Sequence, residues 1–181
     1  MGITKKSFTL IELVVAVGVV GLILPTVFNI FFTMIRQQLV LVAYQEMKQQ
    51  GDSVQRNIKN LLQDRAAYIT DSLYTATDVC PLPITPTPTN SPQIYINDRD
   101  GRHIRLYQKT VSSVDTVASD SATKSYNLTS SNVTISDVGF TCYKTSDFTP
   151  PYISAKFTIH KSTIFNQMSL PYEFKTKLRT Y

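Results

Sequence analysis

From Leu13 to Ile35 no side chain carries a charge. A helix rising ~1.5 Å per residue over such a run covers the ~30 Å hydrocarbon core of a bilayer. Lys5 and Lys6 precede the run and Arg36 closes it. The positive-inside bias therefore predicts a single pass with the N-terminus in the cytoplasm and the remaining chain outside. Glu12 stands at the start of the run, where an isolated carboxylate deep in lipid costs about 2.5–3.5 kcal/mol. Such a charge is expected to have a partner. A secretory signal peptide is a poor fit, because the apolar run is too long and no A-x-A-like site precedes Arg36. A plain single-pass anchor fits the hydropathy and leaves Glu12 unexplained.

The residues Lys5-Lys6-Ser7-Phe8-Thr9-Leu10-Ile11-Glu12-Leu13, set directly before an apolar helix, resemble the class III signal of type IV pilins and pseudopilins. In that family a short basic leader is cut before a phenylalanine, the new amine is methylated, and a glutamate follows four residues on. The resemblance implies a leader of residues 1–7, cleavage between Ser7 and Phe8, N-methylation of Phe8, and filament docking through Glu12. Paired with the Phe8 amine of its own or a neighbouring subunit, Glu12 would set the register of docking. The chain departs from the family at Ser7, where glycine is the rule; serine is also small, which suits a peptidase that binds an extended backbone.

Gly21 falls where many family members have a glycine, whereas their frequent proline falls on Asn29, and Pro25 lies four residues earlier. Proline inside a helix removes a hydrogen bond and crowds the preceding turn. A kink or local melting between Gly21 and Pro25 is expected, with a proline simply tolerated in a membrane helix as the alternative.

Beyond Arg36 the pattern changes. Met47, Val54, Ile58, Leu61 and Leu62 recur at helical spacing, with Lys48, Gln49, Arg56, Lys59 and Gln63 on other faces. Gly51 weakens this helix by ~1 kcal/mol relative to alanine. One helix from about Thr9 to about Ala67 is expected, with residues 8–35 forming the membrane or filament-core part and residues 36–67 an amphipathic continuation. Residues 68–181 would form a β-rich head.

The head opens on a proline-rich connector, Thr75 to Gln93, in which Cys80-Pro81-Leu82-Pro83 and Thr85-Pro86-Thr87-Pro88 exclude helix interior and central strand. Ile94–Asn97 and His103–Tyr107 flank Asp98-Arg99-Asp100-Gly101 and read as a β-hairpin. A calcium loop is a poor fit there: with Gly101 at the sixth loop position, Ile96 and Tyr107 fall where carboxylates are required. Ser112 to Ser125 shows no strand pattern. Asn132–Tyr143, Tyr152–Lys161 and Leu170–Arg179 are strand candidates. Ile153, Ala155, Phe157 and Ile159 alternate in the second, and Tyr172, Phe174, Thr176 and Leu178 in the third. A long helix on an antiparallel sheet is an α+β fold, which is also the pilin fold.

Asn132-Val133, Gly139-Phe140, Pro150-Pro151 and Phe174-Lys175-Thr176-Lys177-Leu178-Arg179 look like the C-terminal half of J-type pseudopilins and W-type minor pilins, a weaker resemblance that implies a minor subunit. Cys80 and Cys142, both in the part expected outside the membrane, read as a disulfide in an oxidising compartment, with two buried free thiols as the alternative. Two cysteines and two unclustered histidines do not make a metal site.

No G-x-S-x-G, P-loop or H-E-x-x-H pattern is present, and His103 and His160 fall in expected strands, on solvated faces. No enzymatic activity and no cofactor are expected. The formal charge is +5, falling to +3 once Lys5 and Lys6 are removed, which does not by itself imply nucleic acid.

The resemblance implies a structural subunit of a type IV pilus or type II secretion pseudopilus. It starts in the cytoplasmic (inner) membrane and later joins an extracytoplasmic filament. The implied partners are other pilin or pseudopilin subunits, a prepilin peptidase and methyltransferase, an inner-membrane assembly platform, and lipid. Two alternatives stay open. One is a DNA-binding minor pilin using Lys156, Lys161, Lys175, Lys177 and Arg179; the other is an enzyme or receptor on a plain anchor.

Overall fold

The computed structural model describes residues 9–74, 80, 90–121, 124–146, 148–164 and 166–178. Ser7, Phe8, most of the proline-rich connector and Arg179 lie outside them. One helix, α1 (Leu10–Asn60), is followed by a π-helical turn over Leu61–Arg65. Eight strands come after it: β1 (Ala66–Thr70), β2 (Gln93–Asp98), β3 (His103–Val111), β4 (Val114–Ser121), β5 (Lys124–Asn127), β6 (Thr134–Tyr143), β7 (Tyr152–Ser162) and β8 (Gln167–Lys177). The class is α+β, with every strand pair antiparallel. The chain divides into two compact units, residues 1–42 and 43–181.

In the first unit the residues from Leu10 onward are helix. Its large apolar side chains from Leu10 to Val42, Val40 excepted, are exposed, as expected where lipid or another helix replaces water. The helix is near the N-terminus and is long and apolar enough to cross a membrane. It runs unbroken through Gly21 and Pro25, so the residues between them are not melted.

In the second unit the strands form two sheets, ordered β1-β2-β3-β4-β5 and β6-β7-β8, where the sequence pattern predicted one. A single core joins them to the helix. Met47, Val54, Ile58 and Leu62 are fully buried, against Ile96, Leu106 and Val117 of the first sheet and Ile135, Ile153 and Ile159 of the second. The stripe thus matches its helical spacing, with Ala43 and Gly51 filling the remaining positions. The alternating set in β7 is buried as expected, and so are Phe174, Thr176 and Leu178.

Three elements differ from the sequence reading. The α-helix ends at Asn60, and Ala66–Thr70 is a strand. Ala66 and Ala67 favour helix, yet pairing Ile69 with Ile96 in β2 extends a buried apolar row, and tertiary burial overrides local propensity. The stretch Ser112 to Ser125 holds β4 and the start of β5 instead of an irregular loop. The turn that starts β4 is Ser112-Ser113, with φ of 50° and 67° between the paired Val111 and Val114. Positive φ at both central residues is what a two-residue type I′ hairpin needs, and Asn-Gly is its usual signal.

Gly51 has a packing role that propensity misses. A Cβ there would overlap the ring of Tyr172 on β8. That ring stacks on Phe157 at 5.2 Å and its hydroxyl donates to Lys48 O at 3.1 Å and Asp52 Oδ1 at 3.4 Å. Burial, then the Asp52 carboxylate, pushes the Tyr172 phenol up to about 12. Gly51→Ala is therefore expected to destabilise the head by about 1–3 kcal/mol through overpacking. In a Tyr172→Ala background the sign should reverse to a gain of ~1 kcal/mol, because only alanine's helix propensity remains. Chemical unfolding of the four combinations measures this cycle, and additive effects would dissociate Gly51 from the ring.

Candidate functional site

Thr9 precedes the first helical residue, and its carbonyl accepts from the Leu13 N–H at 3.3 Å. The Glu12 carboxylate reaches back, and its Oε2 accepts from both the Thr9 N–H and the Thr9 hydroxyl at 3.0 Å. A glutamate at the third helical position bonding the cap residue's N–H is half of a capping box. Orphan N–H groups and the positive end of the helix dipole both favour an anion at this place. So Glu12 has a partner within its own first turn. The signal for it, Thr9-x-x-Glu12, stands in the sequence. Ser7 and Phe8, the residues expected to be processed, lie outside the described part. Fourteen residues further on, the Thr26 hydroxyl donates to Ile23 O at 2.6 Å in the turn that contains Pro25.

Cys80 and Cys142 are joined in a disulfide, with Cα atoms 5.2 Å apart and a sequence separation of 62. Close by, Ser91 pairs with Phe140 of β6 through both backbone bonds, 2.9 and 2.7 Å. A side chain at Gly139 would collide with Asn90, so glycine lets this segment cross β6. Closing a loop of that length removes about 4 kcal/mol of unfolded-chain entropy. The bond ties Cys80 to β6, an edge strand of its sheet.

The basic residues do not share one surface. Lys161 continues the buried parity of β7 and its ammonium is ion-paired with Glu46 of α1, both groups being partly buried. That hydrogen bond holds the Glu46 carboxyl below its ordinary range; burial opposes it and Asn132 adds a further bond. Lys156, Lys175 and Lys177 have the opposite parity and lie across paired rows: Lys156 opposite Glu173, Ser154 opposite Lys175, and Tyr152 opposite Lys177. On that outer face Tyr143 stacks on Tyr152 at 5.5 Å, and the Lys177 ammonium lies 5.4 Å from the Tyr152 ring centre. Arg179 is outside the described residues.

The outer face of the first sheet carries a second polar row, Tyr95-Arg105-Asp120-Ser125. The Arg105 guanidinium lies 4.1 Å from the Tyr107 ring centre and donates to Gln93 Oε1 at 2.7 Å. Burial pushes Asp120 up, but bonds from Ser125 and Tyr107 and the nearby Lys109 and Arg105 charges outweigh it and hold the carboxyl low. The bond to Asp120 in turn raises the Tyr107 phenol. Its rings are covered by its own arginine, while Arg105 Nε and Asp120 Oδ1 are buried without a hydrogen-bond partner.

Ser136 and His160 bring a hydroxyl and an imidazole within 2.7 Å. The Ser136 hydroxyl also lies 2.8 Å from Asp137 Oδ2; donating its one proton there, it accepts from His160 Nε2. His103 is bonded to Asn97 and packed by the Tyr74 ring at 4.2 Å. Among the described residues no group of three or more His, Cys, Asp or Glu is placed to hold a metal. In the Asp98–Gly101 turn, Asp98 caps the Arg99 N–H at 2.7 Å and Asp100 faces Arg102.

Comparison with known protein families, with characterised proteins and with solved structures finds no match.

Because the folded Glu46 carboxyl titrates below its ordinary value of 4.5, its contribution is present above that pH and is lost as pH falls through the depressed value. The thermal midpoint of the head should therefore drop between about pH 6 and pH 3, and Glu46→Gln should flatten part of that drop. Identical pH profiles for the two proteins would mean that the Glu46–Lys161 pair adds no stability.

Proposed function

We propose that this chain is a structural subunit, of the minor type, of a type IV pilus or type II secretion pseudopilus. The observation that carries the reading is Phe8-Thr9-Leu10-Ile11-Glu12-Leu13 directly ahead of a long uncharged run. The α+β head, built on the continuation of the same helix, agrees with it. On this reading the chain is inserted in the cytoplasmic membrane with Lys5 and Lys6 inside. A prepilin peptidase removes Met1–Ser7, and the amine of Phe8 is exposed and methylated beside the Thr9–Glu12 cap. Glu12 then has two satisfied states. In one it caps its own helix; in the other it meets the amine of a neighbouring subunit. Low dielectric makes the second attraction large and makes a carboxylate stranded between the two costly. Docking is then all-or-none in register, and the filament partners are other pilin-like subunits on an inner-membrane platform.

A second reading, nucleic-acid binding by the head, is favoured by one observation, the shared outer face of Lys156, Lys175 and Lys177 beside the Tyr143–Tyr152 stack. A basic surface with stacked rings suits a nucleic-acid strand. Lys161 takes no part, since Glu46 holds it.

Mass measurement of the N-terminus should give a chain starting at methylated Phe8 in cells with prepilin peptidase, and an intact Met1 leader without it. An intact leader in both would end the filament reading. Glu12→Gln separates the two roles of that residue, because glutamine can still cap Thr9 but carries no charge. It should insert and fold as the wild type yet lose filament incorporation about tenfold or more, and full incorporation would remove the register mechanism. For the second reading, the full chain in detergent should bind DNA with an affinity that falls steeply with salt. Lys175→Ala with Lys177→Ala should weaken that binding and Lys161→Ala should not; no binding at low salt ends it.

A further inference from the structure

Within Leu13–Ile35 the hydrogen-bonding side chains are Thr26, Asn29 and Thr33. Both threonines satisfy themselves: the Thr26 hydroxyl donates to Ile23 O at 2.6 Å and that of Thr33 to Asn29 O at 2.8 Å. The Asn29 carboxamide has no partner among the described residues. It lies seven residues before Arg36, about 10 Å deeper along a helix, below the reach of headgroups and water. A carboxamide with two donors and an acceptor is costly in hydrocarbon unless a protein group answers it.

Thr33 and Gln37 follow Asn29 at successive turns on the same side of α1. A shallow groove lined by Asn29, Ile30, Thr33, Met34 and Gln37 runs along that side. Gly18 lies about three turns before Asn29, in line with it, and leaves room for a backbone to come close. The opposite side carries Val20, Leu24, Val27 and Phe31, all large, apolar and exposed. The helix therefore has a greasy side for lipid and a side whose polar group needs an answer.

We propose that the Asn29–Thr33–Gln37 face packs in the bilayer against the same face of a second copy of this chain. A carboxamide both donates and accepts, so two identical faces answer each other. Lys5 and Lys6 at one end outnumber Arg36 at the other, and that bias orients every copy alike. Identical residues then meet at equal depth in a parallel pair. Lipid tails offer no hydrogen bond and cannot be the occupant. The inference rests on residues 8–35 lying in lipid, as in the proposed function, and not on filament growth.

The test uses the full chain in membranes of cells without prepilin peptidase, so that filaments cannot contribute. Cys80 and Cys142 are bonded to each other, which leaves one introduced thiol as the reporter. Under mild oxidation Thr33→Cys should form disulfide-linked homodimers about tenfold faster than Phe31→Cys on the lipid side. Adding Asn29→Leu to Thr33→Cys should cut the dimer yield about tenfold, the size expected for one interhelical amide contact. Equal cross-linking from both sides, no effect of Asn29→Leu, or cross-links to a different chain identified by mass would each overturn the inference. Alkaline extraction of the same membranes separates its failure from that of its premise: a released chain would overturn the lipid placement and the inference together. A retained chain without facial preference overturns the inference alone.

Discussion

The apolar stripe at the C-terminal end of α1 is the contact on which the head depends. Met47, Gly51, Val54, Ile58 and Leu62 recur at three- and four-residue steps and are all buried. A large aliphatic side chain so buried contributes about 1.5–3 kcal/mol relative to an exposed one, and this row serves both sheets at once. Among the described residues no strand of one sheet pairs with a strand of the other; the helix, the residues of β6 packed on the first sheet and the Ser91–Phe140 bridge hold them in one core. The place of Gly51 in the row follows from the same closeness. Where Tyr172 reaches over the helix to Lys48 and Asp52, a side chain on the helix would fill the seat of the ring.

What could be read in advance was whatever repeats. The helical spacing of the stripe and the alternation of Ile153, Ala155, Phe157 and Ile159 are periodic because each side of the element meets one environment throughout. The missed elements lack that uniformity. β4 buries the neighbours Thr116, Val117 and Ala118 on both faces and ends in serines and aspartate, so no alternation marks it. Its turn is made by two serines in a conformation that glycine and asparagine usually advertise. β1 opens on two alanines and is recruited by its neighbour. The Thr9–Glu12 cap was legible as a motif, but the same glutamate also fits a family signal, and one residue can satisfy both patterns.

Parity, more than composition, decides what the lysines of β7 can do. Lys156 and Lys161 are five residues apart, an odd step that sends them to opposite faces of a strand. One lies among the rings and lysines of the outer surface, and the other is committed to Glu46. A count of basic residues treats them as equivalent. The partner strand and the helix make them different, since an ammonium held by a partly buried carboxylate is no longer free to meet a phosphate.

Placed in lipid, as proposed, the apolar half of α1 obeys the same rule in another solvent. In water, the exposed row from Leu10 to Val42 would be the costly part of the chain and its polar groups the cheap part. In hydrocarbon the costs exchange. The valines, leucines and phenylalanines become neutral, and the few polar groups become the ones that need company. Thr26 and Thr33 find it in the preceding turn, and Glu12 finds it in the N–H and hydroxyl of Thr9. Each uses a bond available within a single helix, which lets the segment enter lipid alone. Asn29 makes no such bond among the described residues, and it lies far from either end of the run. A segment that answers all of its polar groups but one is suited both to wait as a monomer and to recognise a second helix at one depth and on one side.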